Sequence, residues 1–163
     1  MRFLMFLFML GALLMSVHAD SDISIVSIDT ATAAEKHAVQ ELAGYLGKVV
    51  GDTIAIAQEP AATPSGRHIY VGATQFARAQ GVDVAALSPE EWVMRSVGND
   101  LILAGGRPRG TLYAAYHFLE DVVGVHWWNP VEETVPSNPK LSFGVLNRSG
   151  KPTFRYRDIY MLY

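Results

Sequence analysis

The residues able to do chemistry in this chain gather around Gly105–Pro130, which reads GGRPRGTLYAAYHFLEDVVGVHWWNP. Gly105 and Gly110 have the spacing of a phosphate-cradling loop, but Thr111 stands where that loop needs Lys. The dinucleotide pattern G-x-G-x-x-G is also missing. The turn therefore reads as a strand-to-helix connection that needs Gly for its backbone shape. Arg107 and Arg109, near a helix N-terminus, can hold an anion or a sugar carboxylate. They can equally be solvated or pair with Glu120 or Glu132. His117 and Glu120 are spaced i, i+3 on a helix, yet one such pair gives only two ligands. His37, His68 and His126 show no ligand spacing among them. No metal and no cofactor is expected.

Three acidic pairs, Glu90-Glu91, Glu120-Asp121 and Glu132-Glu133, raise the question of acid/base work. Glycoside hydrolysis needs two carboxylates facing each other across a bond. Sequence neighbours seldom do that, so these pairs read as solvated surface. There is no G-x-S-x-G elbow and no Cys, which removes an activated Ser of that type and any thiol nucleophile. No catalytic residue is assigned. Trp127 and Trp128, with Tyr113, Tyr116 and His126, can form a sugar-stacking platform; equally, one Trp fills the core while the other packs on a neighbouring domain. Arg109, Trp127 and Trp128 are thus the candidate substrate-binding residues. Asn147-Arg148-Ser149 is a glycosylation sequon.

The chain has 163 residues, enough for one domain with a real core. Residues 1–19 stand apart. Arg2 precedes an apolar run from Phe3 to Met15, and Val17-His18-Ala19 places small residues at the −3 and −1 positions of a cleavage site. This is the pattern of a secretory signal peptide, too short for a comfortable membrane span. A secreted or periplasmic location is expected, with no stable membrane anchor after cleavage. Losing Arg2 takes the formal charge from −3 to −4, which argues against a nucleic-acid or anionic-membrane partner. Without Cys there are no disulfides, so the core must supply the stability.

The elements that must position these residues follow from periodicity. Ile23–Asp29 alternates as a first strand. Thr32-x-x-Glu35 is a capping box opening a helix with Ala34, Ala38, Leu42, Tyr45, Leu46 and Val49 on its buried face, ended by Gly51. Thr53–Ala57 and Arg67–Gly72 read as strands, and Thr74–Gln80 as a short helix. Glu91–Val97 and Leu101–Ala104 form a hairpin around Gly98-Asn99-Asp100. The spacing then predicts a helix from Pro108 to Gly124 with Leu112, Ala115, Tyr116, Leu119, Val122 and Val123 on its apolar face. Leu141–Leu146 reads as a strand and Asn147–Pro152 as a linker. The order predicts an α+β fold: a mixed β-sheet with helices mainly on one face.

The segments ELAGYLGKVVG, RHIYVG, GGRPRGTLYAAYHFLEDVVGVHWWNP and the closing FRYRD resemble one known domain. It is the N-terminal domain of bacterial alpha-glucuronidases, similar to the domain that precedes the barrel in beta-N-acetylhexosaminidases. A group of secreted bacterial proteins of unknown function carries the same domain before a barrel. The resemblance covers about residues 22–160 and is most specific from Arg109 through Leu119-Glu120 to Gly124 and Trp127. It implies a non-catalytic accessory domain of a secreted glycoside hydrolase, with the catalytic carboxylates in the (β/α)8 barrel that follows. The expected division is residues 1–19 signal peptide, 20–147 accessory domain, and 148–163 linker and start of a barrel absent from this chain. The implied partners are that barrel and an oligo- or polysaccharide. A free-standing carbohydrate-binding module using Trp127 and Trp128 is the alternative.

Overall fold

The computed structural model describes residues 22–61 and 65–154. The expected signal peptide and most of the aromatic segment after Pro152 lie outside the described residues.

β1 (Ile23–Ile28) leads into α1 (Ala33–Val50), whose capping box forms in full. The Thr32 hydroxyl accepts from Glu35 N–H at 3.2 Å, while the Glu35 carboxylate accepts from Thr32 N–H at 2.7 Å. Gly51 ends the helix in the left-handed conformation at φ 77°. β2 (Ala55–Glu59) and β3 (Arg67–Val71) follow, then the short α2 (Gln75–Ala79) capped by Thr74 and a 3-10 turn at Val84–Ala86. β4 (Trp92–Val97) and β5 (Asp100–Gly105) form the expected hairpin, with Gly98 at φ 60° in its two-residue turn. α3 (Gly110–Phe118) comes next, continued by a π-helical turn at Leu119–Val123 and closed by Gly124 at φ 89°. A small hairpin of β6 (His126–Asn129) and β7 (Glu132–Thr134) and a final strand β8 (Asn147–Gly150) complete the chain.

Six strands make one sheet in the order β2-β1-β3-β5-β4-β8. β1, β2, β3 and β5 run parallel; β4 is antiparallel to both β5 and β8. This is the predicted α+β mixed sheet. α1 and α3 pack together on one face over Ile25, Ile69, Leu101 and Leu103, with Leu42, Leu46, Phe118 and Leu119 pointing in. The other face has a thinner cover: Ala77, Val82 and Val84 close over Val26, Tyr70, Ile102 and Ala104. The helices therefore lie mainly on one face, as expected. Among the described residues no helix is long and apolar enough to cross a membrane.

Three local readings change. The central helix begins at Gly110; Pro108 sits in the preceding turn, after a cis peptide. Its core side is Ala114, Ala115, Phe118, Leu119 and Val123, whereas Leu112 and Val122 are only partly buried. The stretch is apolar almost all round, so spacing alone allowed two faces. The π turn then widens the last turn by about one residue. Third, Leu141–Leu146 buries Leu141, Phe143 and Leu146 without forming a strand. Gly144 turns the chain at φ 58°, so the segment that runs along β4 is Asn147–Gly150. By sequence pattern that segment reads as a linker. It is the edge strand of the sheet, and the boundary expected at 147/148 falls inside the domain.

Candidate functional site

The glycines of the GGRPRGT turn are there for close backbone approach. A Cβ on Gly106 would lie 1.9 Å from Ser88 O, and one on Gly110 would lie 2.3 Å from Glu91 O. Gly106 N–H donates to Glu91 O at 2.8 Å. The Ser88–Glu91 turn thus lies directly on the strand-to-helix turn, and the two are held together by backbone contact. Pro89 and Glu90 form the centre of that turn, closed by Glu91 N–H to Ser88 O at 3.1 Å. Glu90 has φ 64°, a position where Gly is usual.

The two arginines do not pair with Glu120 or Glu132. Arg107 reaches Glu35 in the first turn of α1, and Arg109 pairs with Glu90. Glu35 is 2% exposed and Glu90 is 8% exposed, so the reading of Glu90 as solvated surface is corrected: its carboxyl is covered and salt-bridged. Neither Glu35 nor its role was visible beyond the capping box. A groove of about 650 Å³ opens beside Arg109, lined by Pro89, Glu90, Pro108, Lys151, Pro152 and Thr153. Next to it a smaller hollow of about 180 Å³ is lined by Trp92, Tyr113, His117, Lys151 and Pro152. Trp92 lies against the His117 ring, tilted by 30° with 4.4 Å between ring centres. The partner of His117 is Asp121, at 3.2 Å, not Glu120. Among the described residues no three His, Asp or Glu side chains come together to hold a metal ion.

The other candidates lie at the far end of the central helix, roughly 20 Å from Arg109 at about 1.5 Å per residue. Trp127 is half-buried, with its ring edge-on to Tyr45 at 5.3 Å and to Tyr116 at 5.4 Å. Its indole N–H donates to Tyr45 Oη at 2.8 Å; that hydroxyl donates in turn to Glu133 at 2.6 Å. Lys48 completes the row at 2.9 Å from the other Glu133 oxygen. Its tyrosine and lysine hydrogen bonds, Tyr45's foremost, hold the Glu133 carboxyl below its usual pKa range. Burial, and then the Glu133 carboxylate, push Tyr45 up; the hydrogen bond to Glu133 pushes Lys48 up. Tyr116 donates to Glu41 at 3.1 Å, and its pKa is pushed up to about 12, by burial first and by that carboxylate second.

Trp128 is 64% exposed and is held elsewhere, its indole N–H on Thr134 at 2.9 Å and its ring near His126. The two tryptophans therefore do not form one platform. Beside Trp127 instead lies an open cleft of about 550 Å³, lined by Tyr45, Trp127, Asn129, Pro130, Val131, Glu132 and Glu133. Tyr45, Lys48 and Glu133 were not singled out as site residues. The spacing of Tyr45 and Lys48 on one helix side was the available signal, but nothing local linked them to Glu133, 85 residues beyond Lys48. The sequon Asn147 is exposed on edge strand β8.

No curated protein matches the chain. Residues 15–118 match the family model described as Glycosyl hydrolase family 67 N-terminus. That match takes in the strands β1 to β5, α1, the turn that carries Arg107 and Arg109, and α3, and the chain belongs to this family.

Proposed function

We propose that the chain is a non-catalytic N-terminal domain of a secreted glycoside hydrolase, serving a catalytic (β/α)8 barrel in the same parent chain. The observation that carries this reading is the family match over residues 15–118. The use of the acids supports it. Glu35 and Glu90 hold Arg107 and Arg109, and Glu41 holds Tyr116. Glu59 caps α2 through Gln75 and Phe76 N–H, and Glu133 binds Tyr45 and Lys48. Each of these carboxylates is engaged by a structural partner, an arginine, lysine, tyrosine or helix N-terminus. The grooves beside Arg109 and Trp92 flank Lys151–Thr153, where the chain leaves the sheet, and suit contact with a following domain. In this reading residues 1–19 are removed on export and the mature chain begins at Asp20.

The test is a hydrolase assay of the purified chain on aryl glycosides and glucuronoxylan fragments. No turnover is expected. Turnover above background that vanishes on mutating one of these acids overturns the reading. N-terminal sequencing of exported protein checks the processing site, with Asp20 as the expected first residue.

A further inference from the structure

We infer that the cleft beside Trp127 binds a neutral saccharide, one ring or two, and discriminates against uronate sugars. Its volume of about 550 Å³ falls within the range of small-ligand sites. What it offers is unusual in one respect. The polar atoms of its aromatic residues are spent on one another: Trp127 Nε1–H on Tyr45 Oη, and Tyr45 Oη–H on Glu133. Tyr45 and Trp127 line the cleft together with Glu132 and Glu133. One Glu132 oxygen accepts from Asn129 Nδ2 at 3.0 Å; the other has no partner among the described residues. Ionised carboxylates only accept hydrogen bonds. A fitting ligand is therefore rich in donors and carries C–H faces that can lie on aromatic carbon, which describes a sugar ring.

Charge narrows the class. Two carboxylates line the cleft, and the nearby cation, Lys48, is already engaged by Glu133 at 2.9 Å. An anionic ligand meets repulsion from these carboxylates, and among the described residues lining the cleft there is no cation to offset it. A neutral sugar donates hydroxyls to the same oxygens. The row is also fixed in advance: Asn129 accepts from Val131 N–H at 3.0 Å, and Glu133 is held from both sides. Little side-chain freedom is then lost on binding. The cleft sits at the opposite end of the central helix from the groove where the chain leaves, so a domain docked there leaves it open. Membership of a glycosyl hydrolase family puts saccharides within reach; the inference goes beyond the docking role and does not depend on it.

The experiment is an NMR titration of the ¹⁵N-labelled chain. Its three Trp residues give three indole peaks, assigned with single Trp→Phe variants. Cellohexaose and xylohexaose are the neutral probes, and an oligogalacturonate of equal length is the anionic one. A saturable shift of the Trp127 indole with at least one neutral probe is expected, at least tenfold weaker with the uronate. Glu132→Ala should weaken the neutral interaction about tenfold, while Glu132→Gln, which keeps an acceptor, should largely retain it. Three results overturn the inference: no saturable shift with either neutral probe, equal response to the uronate, or Glu132→Ala binding as tightly as the parent. The hydrolase assay is unaffected by any of them, so failure here is separable from failure of the accessory-domain reading.

Discussion

Arg107 in the turn before α3 reaches the Glu35 carboxylate at the start of α1, Nη2 to Oε2 at 3.3 Å and Nε to Oε1 at 3.4 Å. The contact ties the N-termini of the two main helices across 72 residues of sequence. Glu35 also accepts from Thr32 N–H and lies against Gly72, where an added Cβ would come within 3.2 Å of it. The acid is buried, but the arginine is half-exposed. Removing Arg107 leaves a covered carboxylate short of a partner, whereas removing Glu35 returns Arg107 to water. Arg107→Ala should cost about 1–3 kcal/mol. Glu35→Ala should cost about 1 kcal/mol beyond its share of the pair, for the lost cap. A double-mutant cycle in urea should show coupling of at least about 0.5 kcal/mol. Coupling near zero would mean that the two residues act independently.

What was readable from the sequence divides by range. Thr32-x-x-Glu35, Gly51, Gly98 and Gly124 are local signals, and each sits where the backbone demands it. The fold class followed from the order of such signals. The pairing of Arg107 with Glu35, and of Tyr45 with Glu133, is set by the sheet order and the contact of the two helices, which no local pattern carries. Strand β8 was missed for a related reason. Asn147-Arg148-Ser149-Gly150 has no apolar alternation, because it lies at an exposed edge and pairs through backbone alone. The buried side chains of the preceding segment gave the stronger strand signal without any ladder.

Glycine substitutions should separate space from backbone freedom. Gly106→Ala puts a methyl 1.9 Å from a backbone oxygen that cannot swing away, and should cost at least about 2 kcal/mol. Gly44 is exposed inside α1, and nothing lies within 4 Å of its added Cβ. Gly44→Ala should stabilise the chain by about 0.5–1 kcal/mol. Thermal melts of the two variants read the contrast directly. A mild effect at Gly106 would show that the Ser88–Glu91 turn can lift off the helix start.

The central helix should be the stability keystone through its observed core side. Phe118 is fully buried, edge-on to Phe143 at 5.5 Å, and Phe118→Ala should cost about 3–5 kcal/mol. Leu119→Ala, also fully buried, should cost about 2–5 kcal/mol. Asp121 is exposed and among the described residues pairs with His117 one turn back, so Asp121→Ala should stay within about 0.5 kcal/mol. Denaturant unfolding that ranks Asp121 with Phe118 would put the wrong side of the helix in the core.

The alkaline limit of the fold should be traceable to Tyr116. Its ring is partly buried edge-on to Trp127, and its hydroxyl donates to Glu41. Both features oppose ionisation: burial strips water from a phenolate, and a carboxylate 3.1 Å away repels it. The folded pKa therefore rises from 10.0 to about 12. In the unfolded chain the hydroxyl titrates near its ordinary value. Between these two pH values the unfolded state releases a proton that the folded state keeps, so stability falls as pH rises. The contribution is complete below about pH 10 and is gone once pH passes about 12. Tyr45, raised by burial first, and Lys48, raised by its hydrogen bond to Glu133, push the same way. Tyr116→Phe keeps the ring against Trp127 and removes the proton. Its stability should decline less steeply between pH 10 and 12 than that of the parent. The 295 nm titration of the folded variant should also lack one late-ionising tyrosine. If the two proteins lose stability along parallel curves, the Glu41 hydrogen bond does not hold the Tyr116 proton, and the helix-to-helix contact at this end rests on ring contacts alone.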